Sequence, residues 1–280
     1  MPTSIQLFEG DCASVLTTFP QLSIDLVVTS PPYDDLRKYK GFSFDFEPIA
    51  AELVRVLKPG GVIVWVVNDA TVKGSETGSS FRQALHFMSL GLNLHDTMIY
   101  HKKNVMPITS PRYQSVFEYM FVFSKGKPST FNTIKQPCVK AGQSRQSTTK
   151  WKKKGDSDVL VLMDGADGNY NEFKPKANIW SYSTGNTTKD AKYKHPAKFP
   201  IQLALDHIES WSNPGDIVLD PFLGSGTTGI AARKLGREFI GIEISKEYLD
   251  MARDRFAEHA VEEPKQELKI ASSLQGTLGA

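Results

Sequence analysis

The feature that most constrains the fold is an alternation of short apolar strands with amphipathic helices in two blocks of the chain. The first block predicts strands at 5–8, 24–28, 62–67, 94–101 and 116–124 and helices at 48–57 and 81–91. The second predicts a helix at 201–211, strands at 217–219 and 239–242, and helices at 227–235 and 245–259. Strands that alternate with helices favour a doubly wound α/β sheet, and the two successive late strands of the first block favour an antiparallel edge.

Composition narrows the class of protein. A chain of 280 residues with 40% hydrophobic and 23% charged residues is typical of a globular protein, which excludes a wholly disordered or fibrous one. Cys12 and Cys138 are too few for a disulfide framework, so we expect a reducing compartment. No apolar run approaches the ~20 residues of a membrane span, and the start of the chain lacks the pattern of a signal peptide. We therefore expect a soluble, cytoplasmic protein with no membrane partner.

A glycine-rich turn runs from Asp220 to Thr228, between a predicted strand and a predicted helix. Gly224 and Gly226 let the backbone approach a ligand without a clash from Cβ. Glu243 ends the next predicted strand, where a carboxylate binds the hydroxyls of a ribose in βαβ nucleoside sites. The alternative is a tight strand–helix connection with a solvated Glu243, but the spacing favours a nucleoside ligand.

The acidic residue before the glycines bears on which nucleoside is bound. Gly224, Gly226 and Gly229 nearly reproduce the pattern of a dinucleotide site. Asp220, however, would repel a pyrophosphate and attract an ammonium or sulfonium group. The turn therefore favours S-adenosylmethionine over NAD, with an NAD-dependent oxidoreductase as an alternative.

The strand at 24–28 is followed by the sequence Ser30-Pro31-Pro32-Tyr33. Because neither proline has an N–H, the strand cannot continue, and the carbonyls of Ser30 and Pro31 are left outside the hydrogen-bond ladder. A hydroxyl, a carbonyl and an aromatic ring together favour a binding site for a planar base with an exocyclic amine. The alternative is a rigid surface turn with a partly buried tyrosine.

A long segment, about 126–194, lacks regular apolar periodicity, which is typical of a functional or disordered insertion. No Asp or Glu occurs from Tyr119 to Gly155, where nine Lys and Arg residues lie, although the net charge of the chain is only +2. Such a cluster favours a surface that follows DNA phosphates, and a solvated basic loop is the alternative. The candidate DNA contacts are Arg112, Lys135, Lys140, Arg145, Lys150, Trp151, Lys152, Lys153 and Lys154.

Taken together, these motifs resemble the amino-methyltransferases of DNA. The resemblance rests on Ser30–Tyr33, Asp220–Gly226, Glu243, Gly10-Asp11-Cys12 and the segment from His195 to Pro200. Because the catalytic motif precedes the cofactor motif, the chain is similar to the permuted β class of these enzymes. RNA methyltransferases with the opposite order are a less favoured alternative.

This resemblance implies a fold and a domain organisation. It implies a seven-stranded mixed sheet of the S-adenosylmethionine-dependent methyltransferase type, permuted, with an inserted basic recognition region. We expect a catalytic half at 1–125, the recognition region at 126–194, the cofactor-binding half of the same domain at 195–260 and a flexible tail at 261–280.

The resemblance also implies the composition of the site. It implies S-adenosyl-L-methionine as cofactor and no metal. Its expected cofactor contacts are Asp11, Cys12, Phe199, Pro200, Asp220, Phe222, Gly224, Ser225, Gly226, Thr227 and Glu243. Its expected catalytic residues are Ser30, Pro31, Pro32 and Tyr33.

The implied reaction is methyl transfer to the exocyclic amine of a flipped base in double-stranded DNA. In this family serine at the first motif position accompanies cytosine targets more often, whereas aspartate accompanies adenine. Ser30 therefore favours cytosine N4, with adenine N6 and a non-catalytic DNA-binding protein of this fold as alternatives. A cognate restriction endonuclease and a homodimer are compatible partners, in a bacterial, archaeal or phage-encoded setting.

Overall fold

The computed structural model describes residues 4–32, 44–105, 107, 111–145, 150–153, 160–163, 168–183 and 199–261. In this part of the chain the helices are α1 (Cys12–Leu16), α2 (Phe46–Val56), α3 (Ser79–Ser89), α4 (Ile201–Trp211), α5 (Thr227–Lys234) and α6 (Lys246–Val261). The strands are β1 (Ile5–Glu9), β2 (Ile24–Thr29), β3 (Leu57–Val67), β4 (Thr71–Val72), β5 (Ser75–Glu76), β6 (Asn93–Lys102), β7 (Phe117–Ser124), β8 (Lys135–Pro137), β9 (Ser144–Arg145), β10 (Lys150–Lys153), β11 (Leu160–Met163), β12 (Gly168–Asn169), β13 (Phe173–Pro175), β14 (Ile179–Tyr182), β15 (Ile217–Asp220) and β16 (Glu238–Glu243). None of the described helices is long and apolar enough to cross a bilayer. The tail expected at 261–280 lies, beyond Val261, outside the described residues.

A central sheet organises the fold, with the strand order β1-β16-β15-β2-β3-β7-β6-β14. Neighbouring strands from β1 to β3 are parallel, whereas β7 is antiparallel to both of its neighbours. The two late strands, β6 and β7, are antiparallel to each other as expected, but they do not form the edge of the sheet, because β14 lies beyond β6.

Both faces of the sheet are covered. Along β3, Val64 belongs to a buried cluster with residues of α4, α5 and α6, whereas the next residue, Trp65, belongs to a cluster with residues of α1, α2 and α3. Such double coverage explains why β3 is continuously apolar in sequence.

Within the described residues the sheet has eight strands, where seven were expected. The additional strand is β14, which pairs in parallel with β6 and lies within the segment expected to be an irregular insertion. Trp180 and Tyr182 are buried, whereas Ile179 and Ser181 are exposed. The sequence analysis missed β14 because only two buried residues alternate with exposed ones inside a long polar stretch.

A buried polar network attaches β14 and the residues before it to α4. Asp206 Oδ2 accepts hydrogen bonds from Lys176 Nζ at 2.5 Å and from the Tyr182 hydroxyl at 2.6 Å. The Trp180 ring packs on the His207 ring with centroids 4.6 Å apart. The Lys176 amine also lies 4.3 Å from the Trp180 ring centroid. Residues 176–182 are thus fixed to the central sheet and to α4.

The rest of the inserted segment, where described, forms two-stranded antiparallel ribbons instead of irregular chain. The pairs are β8 with β13, β9 with β12 and β10 with β11. A further difference concerns 58–61, which lie between the helix predicted at 48–57 and the strand predicted at 62–67. There β3 begins directly at Leu57, which pairs with Ile24, and the register then shifts before Leu26.

Candidate active site

The predicted site residues come together at one edge of the sheet. Ser30 directly follows β2, Asp220 ends β15, Glu243 ends β16 and Asp11 follows β1. These four strands are parallel neighbours, and β15 lies beside β2 with Leu219 paired to Val27. The carboxyl ends of such strands form the ligand-binding crevice of open α/β sheets. The two motifs, far apart in sequence, therefore share one crevice.

A buried hydrogen bond joins the end of β2 to the glycine-rich turn. Thr29 Oγ1 donates to Asp220 Oδ1 at 2.6 Å, and Thr228 Oγ1 donates to Oδ2 at 2.7 Å. The backbone N–H of Phe222 also donates to Oδ1, at 3.1 Å. Burial raises the pKa of Asp220, and these three hydrogen bonds partly oppose the rise.

The position of Asp220 differs from the expectation that its carboxylate faces a cationic ligand. The residue is only 2% exposed, and both of its oxygens accept hydrogen bonds from the protein. Position along the strand places Asp220 in the crevice, but the neighbouring hydroxyls of Thr29 and Thr228 turn the carboxylate inward. Asp220 thus ties the end of β2 to the turn.

The turn itself requires glycine. Gly224 and Gly226 have φ values of 50° and 80°, in the left-handed region that favours glycine. A Cβ at Gly226 would lie 3.1 Å from the Phe256 ring and 3.2 Å from the Ala252 Cβ. The turn is therefore packed closely against α6, and Gly226 caps the start of α5.

The Glu243 carboxylate contacts the turn directly. Its Oε2 accepts from the Gly224 N–H at 2.8 Å, and its Oε1 accepts from the Ser245 N–H at 2.9 Å. Burial raises the pKa of Glu243, the charge of Asp220 adds to the rise, and the two N–H groups oppose it. An ionised carboxylate has about four acceptor positions, so Glu243 can also accept from two ribose hydroxyls. This donor and acceptor set fits an adenosine cofactor.

The segment after β1 borders the same crevice. The Gly10 N–H donates to the Glu243 carbonyl at 3.0 Å, and the exposed Asp11 caps α1 by accepting from the Ser14 N–H at 2.9 Å. Cys12 is 6% exposed, and burial together with the charge of Asp11 raises its pKa to about 12. The Cys12 thiol therefore stays protonated, as suits a packing residue.

The segment predicted to be catalytic, from Ser30, is described as far as its second proline. Ser30 and Pro32 are half-buried and Pro31 is buried, whereas Tyr33 lies outside the described residues. Beside it, the Phe222 ring meets the rings of Phe44 and Trp65 edge to face, at 5.6 and 6.2 Å between centroids.

The segment expected at the methionine end of the cofactor is only partly described. Phe199 is half-buried and packs against the core, and Pro200 immediately precedes α4. His195 lies outside the described residues.

Arg255 is a residue of this site that the sequence analysis missed. It lies on α6, is 2% exposed, and its Nη1 donates to the Ser225 carbonyl. The same nitrogen lies 3.0 Å from Ser225 Oγ and 3.4 Å from Thr227 Oγ1. Arg255 thus holds the glycine-rich turn from behind. The signal was available, because Arg255 shares the helix face of the apolar residues Ala252 and Phe256.

The predicted DNA contacts belong to several different elements. Arg112 donates to the Gly74 carbonyl of the β4–β5 hairpin, and its guanidinium lies 3.9 Å from the Glu76 carboxylate. Lys135 and Lys140 are exposed on the β8 ribbon. Arg145 is part of β9, and Lys150, Trp151, Lys152 and Lys153 form β10. Lys154 lies outside the described residues.

Comparisons with known proteins agree with this geometry. A family model described as DNA methylase, of the N6/N4 methyltransferases, matches residues 24–254. The chain is 50% identical to the orphan methyltransferase M.BamHII of Bacillus amyloliquefaciens, over 90% of this chain and 92% of that protein. It is 30% identical to the type II methyltransferase M.BglII of Bacillus subtilis, over 88% of this chain and 67% of that protein.

Solved structures share the fold. TTHA0409 of Thermus thermophilus, in complex with S-adenosyl-L-methionine, is 27% identical, with a TM-score of 0.61 and coverage of 92% of this chain and 97% of that chain. The cytosine-N4-specific PvuII DNA methyltransferase has a TM-score of 0.67 at 22% identity, over 91% of this chain and 87% of that chain. The chain therefore belongs to the N6/N4 family of DNA methyltransferases, which act on double-stranded DNA, and its cofactor is S-adenosyl-L-methionine.

Proposed function

We propose that the protein methylates the N4 amine of cytosine in duplex DNA, within the permuted β class of the family. The observation that carries the choice of base is Ser30, which stands where the adenine-specific pattern has aspartate. The permuted β class is supported by the order of the motifs along the chain. The motif after β2 precedes the motif after β15 by almost 200 residues, although the two strands pair. Adenine N6 is the alternative target.

The proposed cofactor contacts follow from the crevice. Glu243 accepts the ribose hydroxyls, the backbone from Gly224 to Gly226 permits close approach, and Asp11 accepts from the adenine amine. Phe222 and Phe199 supply apolar contacts, with Phe199 towards the methionine end. When bound, S-adenosyl-L-methionine supplies an electrophilic methyl group on its sulfonium.

The proposed catalytic step depends on orienting a weak nucleophile. The lone pair of the cytosine amine is delocalised into the ring. The Ser30 hydroxyl and the Pro31 carbonyl each accept one amine hydrogen, which directs the lone pair out of the ring plane. As the nitrogen becomes cationic, both acceptors bind its hydrogens more strongly, and this stabilises the transition state.

Tyr33 is proposed to stack on the flipped base. Extruding a base costs a few kcal/mol, and stacking on an aromatic ring returns about 1–3 kcal/mol. We expect Tyr33→Ala to reduce methylation of duplex DNA strongly and Tyr33→Phe to retain most of it, because phenylalanine keeps the ring. Methylation of duplex DNA by Tyr33→Ala at the wild-type rate would exclude the stacking role.

The inserted region at 126–194 lies in sequence between the catalytic half (1–125) and the cofactor half (195–260). It is proposed to contact DNA. The support is its run of Lys and Arg without Asp or Glu up to Gly155. A cognate restriction endonuclease and a homodimer stay predictions of the resemblance.

Mass spectrometry of nucleosides tests the target base. Duplex DNA is incubated with the protein and S-adenosyl-L-methionine, digested to nucleosides and analysed, with Ser30→Ala as the impaired control. We expect N4-methylcytosine, at a much lower level with Ser30→Ala. N6-methyladenine as the sole product would overturn the choice of cytosine while leaving the family assignment intact.

A further inference from the structure

The ribbon built from β8, β13, β9 and β12 is interrupted by a wide bulge. Before it, the Cys138 N–H donates to the Glu172 carbonyl at 2.8 Å, and after it, the Tyr170 N–H donates to the Gln143 carbonyl at 3.0 Å. The Gly142 N–H also donates to the Tyr170 carbonyl at 3.2 Å, so three residues, 139–141, face the single residue Asn171. The bulge is ordered by its own hydrogen bonds, from Ala141 to Cys138 and from Gln143 to Lys140, both at 3.0 Å.

The bulge opens a cavity of about 490 Å³. Its lining combines two ammonium groups, two aromatic rings and an amide, from Lys140, Lys174, Tyr170, Phe173 and Asn171, and no acidic side chain is among its described lining residues. The Lys140 amine lies 5.5 Å from the Tyr170 ring centroid. Phe173 is 53% exposed, so a large apolar ring lies in solvent at the cavity.

This chemistry matches one nucleotide of DNA. Lysine binds phosphate as a point charge, and sugars or unstacked bases pack against aromatic rings. The volume lies within the range of ligand pockets. A ligand with only anionic groups would contact the amines alone, and a purely apolar ligand would contact the rings alone. A nucleotide contacts both.

The direction of the ribbon supports this occupant. The Asn132 side chain donates to the Glu209 and Ser212 carbonyls, at the C-terminal end of α4. Ile134 accepts from the Lys176 N–H, and the Lys176 amine reaches Asp206, a turn closer to the start of α4. The chain thus runs along α4 towards its N-terminal end. That end lies at the carboxyl edge of the sheet, because α4 leads into β15, which ends at the crevice.

We propose that this cavity binds a nucleotide of the substrate DNA, with the phosphate on Lys140 and Lys174 and the sugar or base against Tyr170 and Phe173. The proposal rests on the proposed function of the insertion as a DNA-contacting region. It adds four contacts that the basic run does not contain: Tyr170, Asn171, Phe173 and Lys174.

Fluorescence anisotropy with a short labelled duplex that the protein methylates tests the proposal. The variants are Lys140→Ala with Lys174→Ala, and Phe173→Ala. Lys127→Ala is the matched control, because Lys127 is exposed in the same basic run but outside the cavity. Circular dichroism and the Kd for S-adenosyl-L-methionine check that each variant is folded.

We expect Phe173→Ala to weaken DNA binding roughly 5- to 150-fold, the range for loss of one stacking contact. The double lysine variant should also lower the slope of log affinity against log salt by about 1, whereas Lys127→Ala should change it less. Wild-type DNA affinity in both cavity variants, or an equal loss in Lys127→Ala, would refute the cavity while leaving the enzyme's function intact. If the DNA affinity of the wild-type protein and of every variant were independent of salt, the proposed role of the insertion would instead be refuted.

Discussion

The hydrogen bond between Thr29 and Asp220 yields a quantitative prediction about the joint between the two motifs. Thr29→Val removes the hydroxyl while keeping the β-branched shape, so packing in β2 is preserved. The lost bond is 2.6 Å long, ends on a carboxylate, and lies where Thr29 is 0% exposed, so water does not replace it. Hydrogen bonds to charged groups contribute about 1.5–3 kcal/mol, and we expect the free energy of unfolding to fall by that amount.

The assay is urea unfolding followed by circular dichroism, with two comparison variants. Thr29→Ser keeps the hydroxyl and loses a methyl group, so it should be less destabilising than Thr29→Val. Thr97→Val makes the same substitution at an exposed strand position of β6 and should change the free energy of unfolding by less than about 0.5 kcal/mol.

The pH dependence of stability gives a second test of the hydrogen bond between Thr29 and Asp220. The bond to Thr29 stabilises the ionised form of Asp220 and so lowers its pKa. The destabilisation by Thr29→Val should therefore be largest where Asp220 is ionised and should shrink as the pH falls through the pKa of Asp220. If Thr29→Ser proves as destabilising as Thr29→Val, methyl packing and not the hydrogen bond holds the joint, and the reasoning is refuted.

Further predictions concern the other buried groups. Arg255→Met should raise the KM for S-adenosyl-L-methionine about 10-fold or more, because the turn loses the hydrogen-bond donor at Ser225. The effect on kcat should be smaller. Arg253→Met, at an exposed position of the same helix, is the control. A thiol reagent should modify Cys138 in the native protein at neutral pH but Cys12 only after unfolding, as measured by mass spectrometry; rapid native labelling of Cys12 would contradict its burial. Burial lowers the pKa of His207 from 6.5 to about 3, so between these two pH values only the unfolded state takes up the proton. The free energy of unfolding should therefore fall with decreasing pH by up to about 1.4 kcal/mol per pH unit. His207→Gln should remove this part of the pH dependence in urea titrations.

Sequence periodicity predicted the elements whose burial follows a simple pattern. The helix expected at 201–211 has the observed bounds of α4, and the strand expected at 239–242 differs from β16 by one residue at each end. The short strand β14 was missed because its burial depends on Trp180 packing against His207 of a distant helix, a contact that local pattern does not encode.

The same limit applied to the site. Spacing along the chain indicates which residues stand at strand ends, and it brought Gly224 and Glu243 to one crevice. It does not indicate which neighbours a side chain will meet. Asp220 turns inward because Thr29, 191 positions away in sequence, presents a hydroxyl to it. Tertiary partners of this kind decide the orientation of a carboxylate, and a single sequence does not reveal them.

The attachment of β14 to the sheet has a consequence for exchanging the region that we propose contacts DNA. A recognition cassette joined by loose linkers can be replaced whole. Here residues 176–182 belong both to the inserted segment and to the scaffold, since Trp180 and Tyr182 are buried and Lys176 pairs with Asp206. A graft from a relative must therefore leave that stretch in place and exchange only the ribbons that precede it.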